Sequence, residues 1–139
     1  MTDVVILGAK RTALGALLGQ FTGVPATQLG ADAIRSALAQ SGVDGEQVDE
    51  VIMGCVLPAG LGQAPARQAA IAAGIALKAG ATTINKVCGS GMKAVMFGHD
   101  MIKAGSARVV VAGGMESMTN APHLLLNSRT GIRFGSAEM

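Results

Sequence analysis

Asn85-Lys86-Val87-Cys88-Gly89-Ser90-Gly91-Met92-Lys93-Ala94 is the stretch on which the reading of this chain turns. The β-branched residues just before it predict a strand over Thr82 to Val87, and Gly89-Ser90-Gly91 then opens a strongly apolar helix. A strand that passes through a glycine turn into a helix is the building unit of layered α/β folds. The junction is also a place for chemistry. The first backbone N–H groups of a helix have no intrahelical partner, and with the positive end of the macrodipole they stabilise an anionic sulfur. The two glycines leave room for a ligand beside that sulfur. Cys88 is therefore the candidate nucleophile, set against the alternative of a small buried hydrophobe.

Working outward, the same alternation of elements recurs. Val4 to Ala9 is a continuous apolar run that fits a strand buried on both faces, and Lys10-Arg11-Thr12 brings it to the surface. Gly15 to Gly23 has no sustained period and reads as a loop. Ala26, Leu29, Gly30, Ala33, Ile34, Ala37 and Leu38 then share one helical face, with proline at the start and Gly42 just past the end. Glu50 to Val56 reads as the second strand and Leu57 to Gln63 as the loop at its carboxyl end. Pro65 starts a helix that Gly74 closes. After Cys88, a helix that is apolar nearly all round predicts a central, buried element ending at Gly105. Arg108 to Ala112 is the fourth strand.

This order predicts four strands in a largely parallel sheet, joined by right-handed crossovers and covered by helices on both faces. Ligands of such sheets bind beyond the carboxyl ends of the strands. Cys88, the Leu57 to Gln63 loop and the Gly113 to Thr119 turn all fall at that end. Residues 1–118 form this unit, whereas 119–139 read as a turn or linker followed by a lone apolar patch, Leu124 to Leu126, and a polar tail.

Composition narrows the function classes. The 139 residues include no Trp or Tyr and only 3 Phe, so Ala, Gly, Val, Leu and Met must fill the interior by close approach. A net charge of +2 without a basic run, and without aromatic stacking platforms, argues against a nucleic-acid partner. No apolar segment reaches membrane-spanning length, and the first residues lack a basic n-region and a long h-region. Cys55 and Cys88 are far apart with no C-x-x-C spacing, which points to two reduced thiols in a cytoplasmic protein rather than a disulfide or a metal site. Only 14% of residues are charged, thin cover for an isolated domain, which suggests large buried interfaces or a piece of a larger protein.

Other candidates carry less. Cys55 lies inside the second strand's apolar run and reads as structural. His99, within the third helix, and His123, in the linker, read as satisfied or surface residues. Glu116 reads as a structural carboxylate just past a strand end. Strand alternation would send Asn85 and Lys86 to opposite faces, so at most one of them lines the pocket. Gly89-x-Gly91-x-x-Ala94 also fits the G-x-G-x-x-G/A pattern of a nucleotide-binding module, but the first strand of such a unit, not the third, usually carries it. G-x-S-x-G is not satisfied around Ser90, which excludes a serine-hydrolase elbow.

The Cys88 stretch resembles the nucleophile segment of the thiolases, the acetyl-CoA acetyltransferases. Gly113-Gly114-Met115-Glu116-Ser117-Met118 is similar to a second segment of that family, and Lys10-Arg11-Thr12 and Gly60 to Ala69 are similar to two more, in the same order. The resemblance implies a three-layer α/β/α fold, incomplete here at four strands, with the family's fifth supplied after a loop region that begins near residue 119. It implies that Cys88 takes an acyl group from an acyl-CoA, and that the product forms by condensation with a second CoA thioester or by release to free CoA. Coenzyme A thioesters are then substrates, with no permanently bound cofactor and no metal, and the full-length protein is a homo-oligomer. The family's activating histidine in G-H-P and second cysteine in C-x-G are not in these residues. The expectation is an acyltransferase fragment without turnover of its own, with a non-catalytic assembly piece as the alternative.

Overall fold

The computed structural model describes residues 3–126 and 128–131. Three helices and three strands alternate. α1 (Ala26–Ser41) leads to β1 (Glu50–Gly54), α2 (Pro65–Ala72) to β2 (Gly80–Ile84), and α3 (Ser90–Ala104) to β3 (Val110–Gly114). The strands form one parallel sheet in the order β2-β1-β3, with Ile52 of the central strand paired with Thr82 on one side and Ala112 on the other.

Alternation along β1 sorts the layers. Val51, Met53 and Cys55 enter one core with Ala26, Ala31 and Ile34 of α1 and Ala66, Ala69 and Ala70 of α2. Ile52 and Gly54 face the opposite way, toward α3, which packs on β1 and β3. α1 reaches this core through its small residues: a Cβ on Gly30 would stand 2.6 Å from the Met115 sulfur. The three-layer α/β/α arrangement expected from the sequence is thus present, held together by alanine and glycine contacts in place of aromatic bulk.

Among the described residues the sheet has three strands, not four. Val4 to Ala9 is extended but pairs with no strand among the described residues, and Ile6 is 80% exposed. Its apolar pattern is that of a strand, yet a strand exists only where a neighbour takes its N–H and C=O groups. Here the segment instead follows the end of α1, where the Ala9 N–H donates to Gln40 Oε1 at 3.0 Å. A cavity of about 140 Å³, lined by Lys10 to Thr12, Leu29, Gly30, Ala33 and Gly114 to Glu116, lies between this segment's end and the end of β3.

Strand limits differ by a turn. β2 starts at Gly80 and stops at Ile84, and β3 runs two residues further than the β-branched run suggests. α3 is also not the buried central helix its composition predicts. Ser90, Ala94 and Gly98 are buried against the sheet, while Val95, Met96 and Phe97 are exposed and Met92 is 75% exposed. Among the described residues, no element covers that outer face. Lys93 partly shields it by placing its ammonium 4.2 Å from the Phe97 ring centroid. Of the tail, Leu124 to Leu126 is exposed and Ser128–Thr130 forms one short 3-10 turn. Asn127 and residues 132–139 of the tail fall outside the described residues.

Candidate active site

All three strands end at the same level, at Gly54, Ile84 and Gly114, and their following loops are tied together there. The Cys55 N–H donates to the Ile84 carbonyl at 3.0 Å, and the Met115 N–H to that of Gly54 at 2.9 Å. Asn85 Nδ2 reaches the Val56 carbonyl at 3.4 Å. The three segments expected to converge at the carboxyl end of the sheet do so.

The helix carrying the site sits unusually close to that edge. A Cβ on Gly54 would lie 2.6 Å from the Cβ of Ser90, and one on Gly114 would lie 3.3 Å from the Cα of Gly91. Glycines on β1 and β3 therefore let the first turn of α3 drop onto the strand ends. The room is made by the strand glycines, since a Cβ on Gly91 itself would meet Gly114 only at an ordinary 3.6 Å.

Cys88 is exposed and stands immediately before Gly89, the N-cap of α3, so it precedes the helix by two positions instead of occupying its first turn. The reason is the turn in front of it. β2 ends at Ile84, so Asn85, Lys86 and Val87 are not strand residues and strand alternation does not govern them. Val87 has φ +48°, a left-handed conformation that a β-branched residue reaches only at a cost of about 1–3 kcal/mol.

A small set of hydrogen bonds keeps it there. Asn85 Oδ1 accepts from the Val87 N–H at 2.9 Å. Ser90 Oγ accepts from the Lys86 N–H at 2.8 Å and donates to the Val87 carbonyl at 2.6 Å, while the Ser90 N–H donates to the same carbonyl at 3.1 Å. Ser90 is only 4% exposed and satisfies both capacities of its hydroxyl within the turn. The sequence reading considered this serine only as a failed hydrolase nucleophile. The signal that could have found it is a serine placed three and four residues after backbone groups it can bridge.

Cys55 has the opposite setting. It is 2% exposed, and its Sγ lies 3.7 Å from Glu116 Oε1. Burial, reinforced by the Glu116 charge, pushes the thiol up to about 11, so it stays protonated at neutral pH. Its structural reading follows directly. Glu116 accepts from the Val56 N–H at 2.7 Å and the Leu57 N–H at 3.0 Å, tying the loop after β1 to the end of β3. His99 is exposed and paired with its neighbour Asp100 at 3.0 Å, and His123 is exposed in the linker. Among the described residues, no group of three His, Cys, Asp or Glu side chains is arranged to hold a metal ion, and no helix is long and apolar enough to cross a membrane.

The site is therefore an accessible thiol carried by a strained, hydrogen-bonded turn at the carboxyl edge of a parallel sheet, in a chain whose other thiol is sealed. Comparison with known proteins gives the family. The family model described as "Thiolase, N-terminal domain" matches residues 4–139. The chain is 58% identical over all 139 of its residues to an acetyl-CoA acetyltransferase of Cupriavidus necator and 54% identical over the same span to one of Pseudomonas aeruginosa. It is also 55% identical over 133 residues, 96% of its length, to acetyl-CoA acetyltransferase 2 of Arabidopsis thaliana. It spans 35%, 35% and 33% of those three proteins, about a third of the relatives it matches. The chain belongs to the thiolase family, within the N-terminal domain.

Proposed function

We propose that Cys88 is the acyl-carrying nucleophile of a thiolase-type acyltransferase, and that residues 1–118 are the first half of its N-terminal domain, with 119–139 opening the loop region. One observation supports this most: of the two cysteines, the exposed one stands at the entrance to α3 in a tightly braced turn. The Cys88 sulfur attacks the carbonyl carbon of an acyl-CoA. A carbon–sulfur bond forms to the enzyme, the bond to the CoA sulfur breaks, and CoA leaves as the thiol with the proton that Cys88 gave up. In condensation, the deprotonated α-carbon of a second CoA thioester attacks the acyl-enzyme carbonyl and Cys88 leaves as the thiol. In degradation, the Cys88 thiol attacks the keto carbonyl of a 3-ketoacyl-CoA. The carbon–carbon bond breaks to release acetyl-CoA, and free CoA then takes up the acyl group.

Deprotonating Cys88 and moving the proton at the α-carbon require a base and a second reactive thiol: among the described residues no hydrogen bond joins either histidine to Cys88, His99 pairs with Asp100, and Cys55 is sealed. A polypeptide of these 139 residues alone has no thiolysis or condensation turnover. The full-length protein is read as a homo-oligomer acting on acyl-CoA and CoA, a reading supported by the apolar surface of α3. A reducing compartment, the cytoplasm, suits two unpaired thiols.

The test is a chimera in which this chain replaces the matching stretch of the Cupriavidus necator enzyme. The chimera should cleave acetoacetyl-CoA with CoA, and Cys88→Ser should lower that rate by at least about 10³-fold. A folded chimera without activity, or one indifferent to Cys88→Ser, overturns the reading.

A further inference from the structure

We propose that Ser90 and Asn85 are positioning residues for the Cys88 thiol, and that they act by holding Val87 in its left-handed conformation. The inference rests on Cys88 being the nucleophile and extends it to how the thiol is aimed. Val87 immediately precedes Cys88, so its φ and ψ decide the direction in which the chain delivers the cysteine to α3. A valine left to itself moves to negative φ, and the thiol then swings away from the helix entrance.

Two side chains oppose that relaxation from opposite ends of the same residue. Asn85 Oδ1 holds the Val87 N–H at 2.9 Å, and Ser90 Oγ holds its carbonyl at 2.6 Å. Ser90 also holds the preceding peptide through the Lys86 N–H at 2.8 Å. Each anchor is itself fixed. Ser90 is buried against Gly54, where a Cβ would collide with it, so the serine cannot tilt away toward the sheet. Asn85 is tied by its amide to the Val56 carbonyl, next to the two N–H groups that Glu116 holds. The carboxyl ends of β1 and β3 thus serve as the frame, and Ser90 and Asn85 transmit their rigidity to Val87 and so to the thiol. Neither side chain needs to touch a substrate.

The experiment measures iodoacetamide alkylation of Cys88 in the 139-residue chain at fixed pH. Slow labelling of the buried Cys55 reports in the same digest that the fold is intact. Ser90→Ala and Asn85→Ala should each slow Cys88 labelling by about tenfold, because reactivity falls steeply as a reacting group is misplaced. Asn85→Asp, which keeps an oxygen for the Val87 N–H but loses the amide's bond to the Val56 carbonyl, should fall between the parent chain and Asn85→Ala. The decisive variant is Val87→Gly combined with Ser90→Ala. Glycine adopts positive φ without strain, so it should restore most of the lost rate, which it could not do if Ser90 merely supported the fold.

Ser90→Ala labelling at the parent rate or faster, or a folded double variant no faster than Ser90→Ala alone, overturns the proposal. Should Ser90→Ala fail to fold, Val87→Gly alone decides: it should raise the melting temperature, and a lower one overturns the proposal. Because alkylation needs no acyl-CoA, this result and that of the chimera can fail separately.

Discussion

Cys55 and Cys88 leave adjacent strands at the same edge of one sheet, and their surroundings are opposite. Cys55 follows β1 directly, is packed under the α1 and α2 core, and shares its Sγ with a carboxylate. Cys88 lies four residues past β2, beyond a turn that lifts it clear of the sheet, and is open to solvent. The difference shows that position at a strand end does not by itself open a cysteine to solvent. What separates the two is whether the chain returns at once into the core or is turned outward by a braced residue in a left-handed conformation.

The largest expected effect is on that contrast itself. At neutral pH, iodoacetamide should label Cys88 at least about 10²-fold faster than Cys55, because burial and the Glu116 charge keep Cys55 protonated. Peptide mass spectrometry of a time course checks this, and equal labelling of the two thiols would break the comparison.

Next in size is the clamp on the Cys55 side. Glu116→Ala leaves the Val56 and Leu57 N–H groups without their carboxylate and should lower stability by about 2 kcal/mol in urea unfolding. It should also speed Cys55 labelling by removing the neighbouring charge. Glu116→Gln, which keeps one acceptor oxygen, should fall between the parent and the alanine variant.

A smaller effect comes from the Cys55 titration. Its folded-state value is raised from 9.0 to about 11, so the folded state favours the neutral thiol. That contribution is complete below about pH 9 and is lost as the pH rises toward about 11. Melting temperature should decline over that window, and Cys55→Ala should flatten the decline. An unchanged alkaline slope would remove Cys55 as its source.

The smallest concerns the opposite edge of the sheet. The Asp49 carboxylate accepts from the Arg108 N–H at 2.7 Å and the Val109 N–H at 3.0 Å, and these backbone bonds hold it below its usual range. Its contribution is present above the unfolded value of 3.8 and is lost as the pH falls through the lower folded value. Asp49→Asn should make the acid limb of the melting curve shallower and leave Cys88 labelling unchanged, since this end of the sheet is remote from the site.

Much of the architecture was legible because it is written in local periodicity. The i, i+3, i+4 spacing of Ala26 to Leu38 marked α1, and the short apolar runs at Val51 and Val110 marked two strands. The same reasoning failed at Val4 to Ala9, where the pattern is that of a strand but no partner lies alongside among the described residues, and at α3, whose apolar residues outnumber the surfaces that those residues offer to cover them. At the site, cysteine and glycine identities pointed to the junction before α3, where the structure has the exposed thiol. The left-handed Val87 was not legible, since a β-branched residue disfavours that conformation, and the bridging Ser90 left only the weak signal of a serine within reach of two backbone groups.

The sequence by itself determined the alternating α/β order, the parallel crossovers and, through its motifs, which cysteine to examine. All of these depend on residues within a few positions of one another. Only the tertiary structure decided that Cys55 is sealed by a carboxylate 61 positions away, that Gly54 and Gly114 let α3 settle onto the strand ends, and that the first apolar run has no strand partner among the described residues. The reason is physical: periodicity specifies which face of an element must be buried, but strand pairing, burial of a thiol and restraint of a strained peptide are relations between distant residues that exist only once the chain has folded.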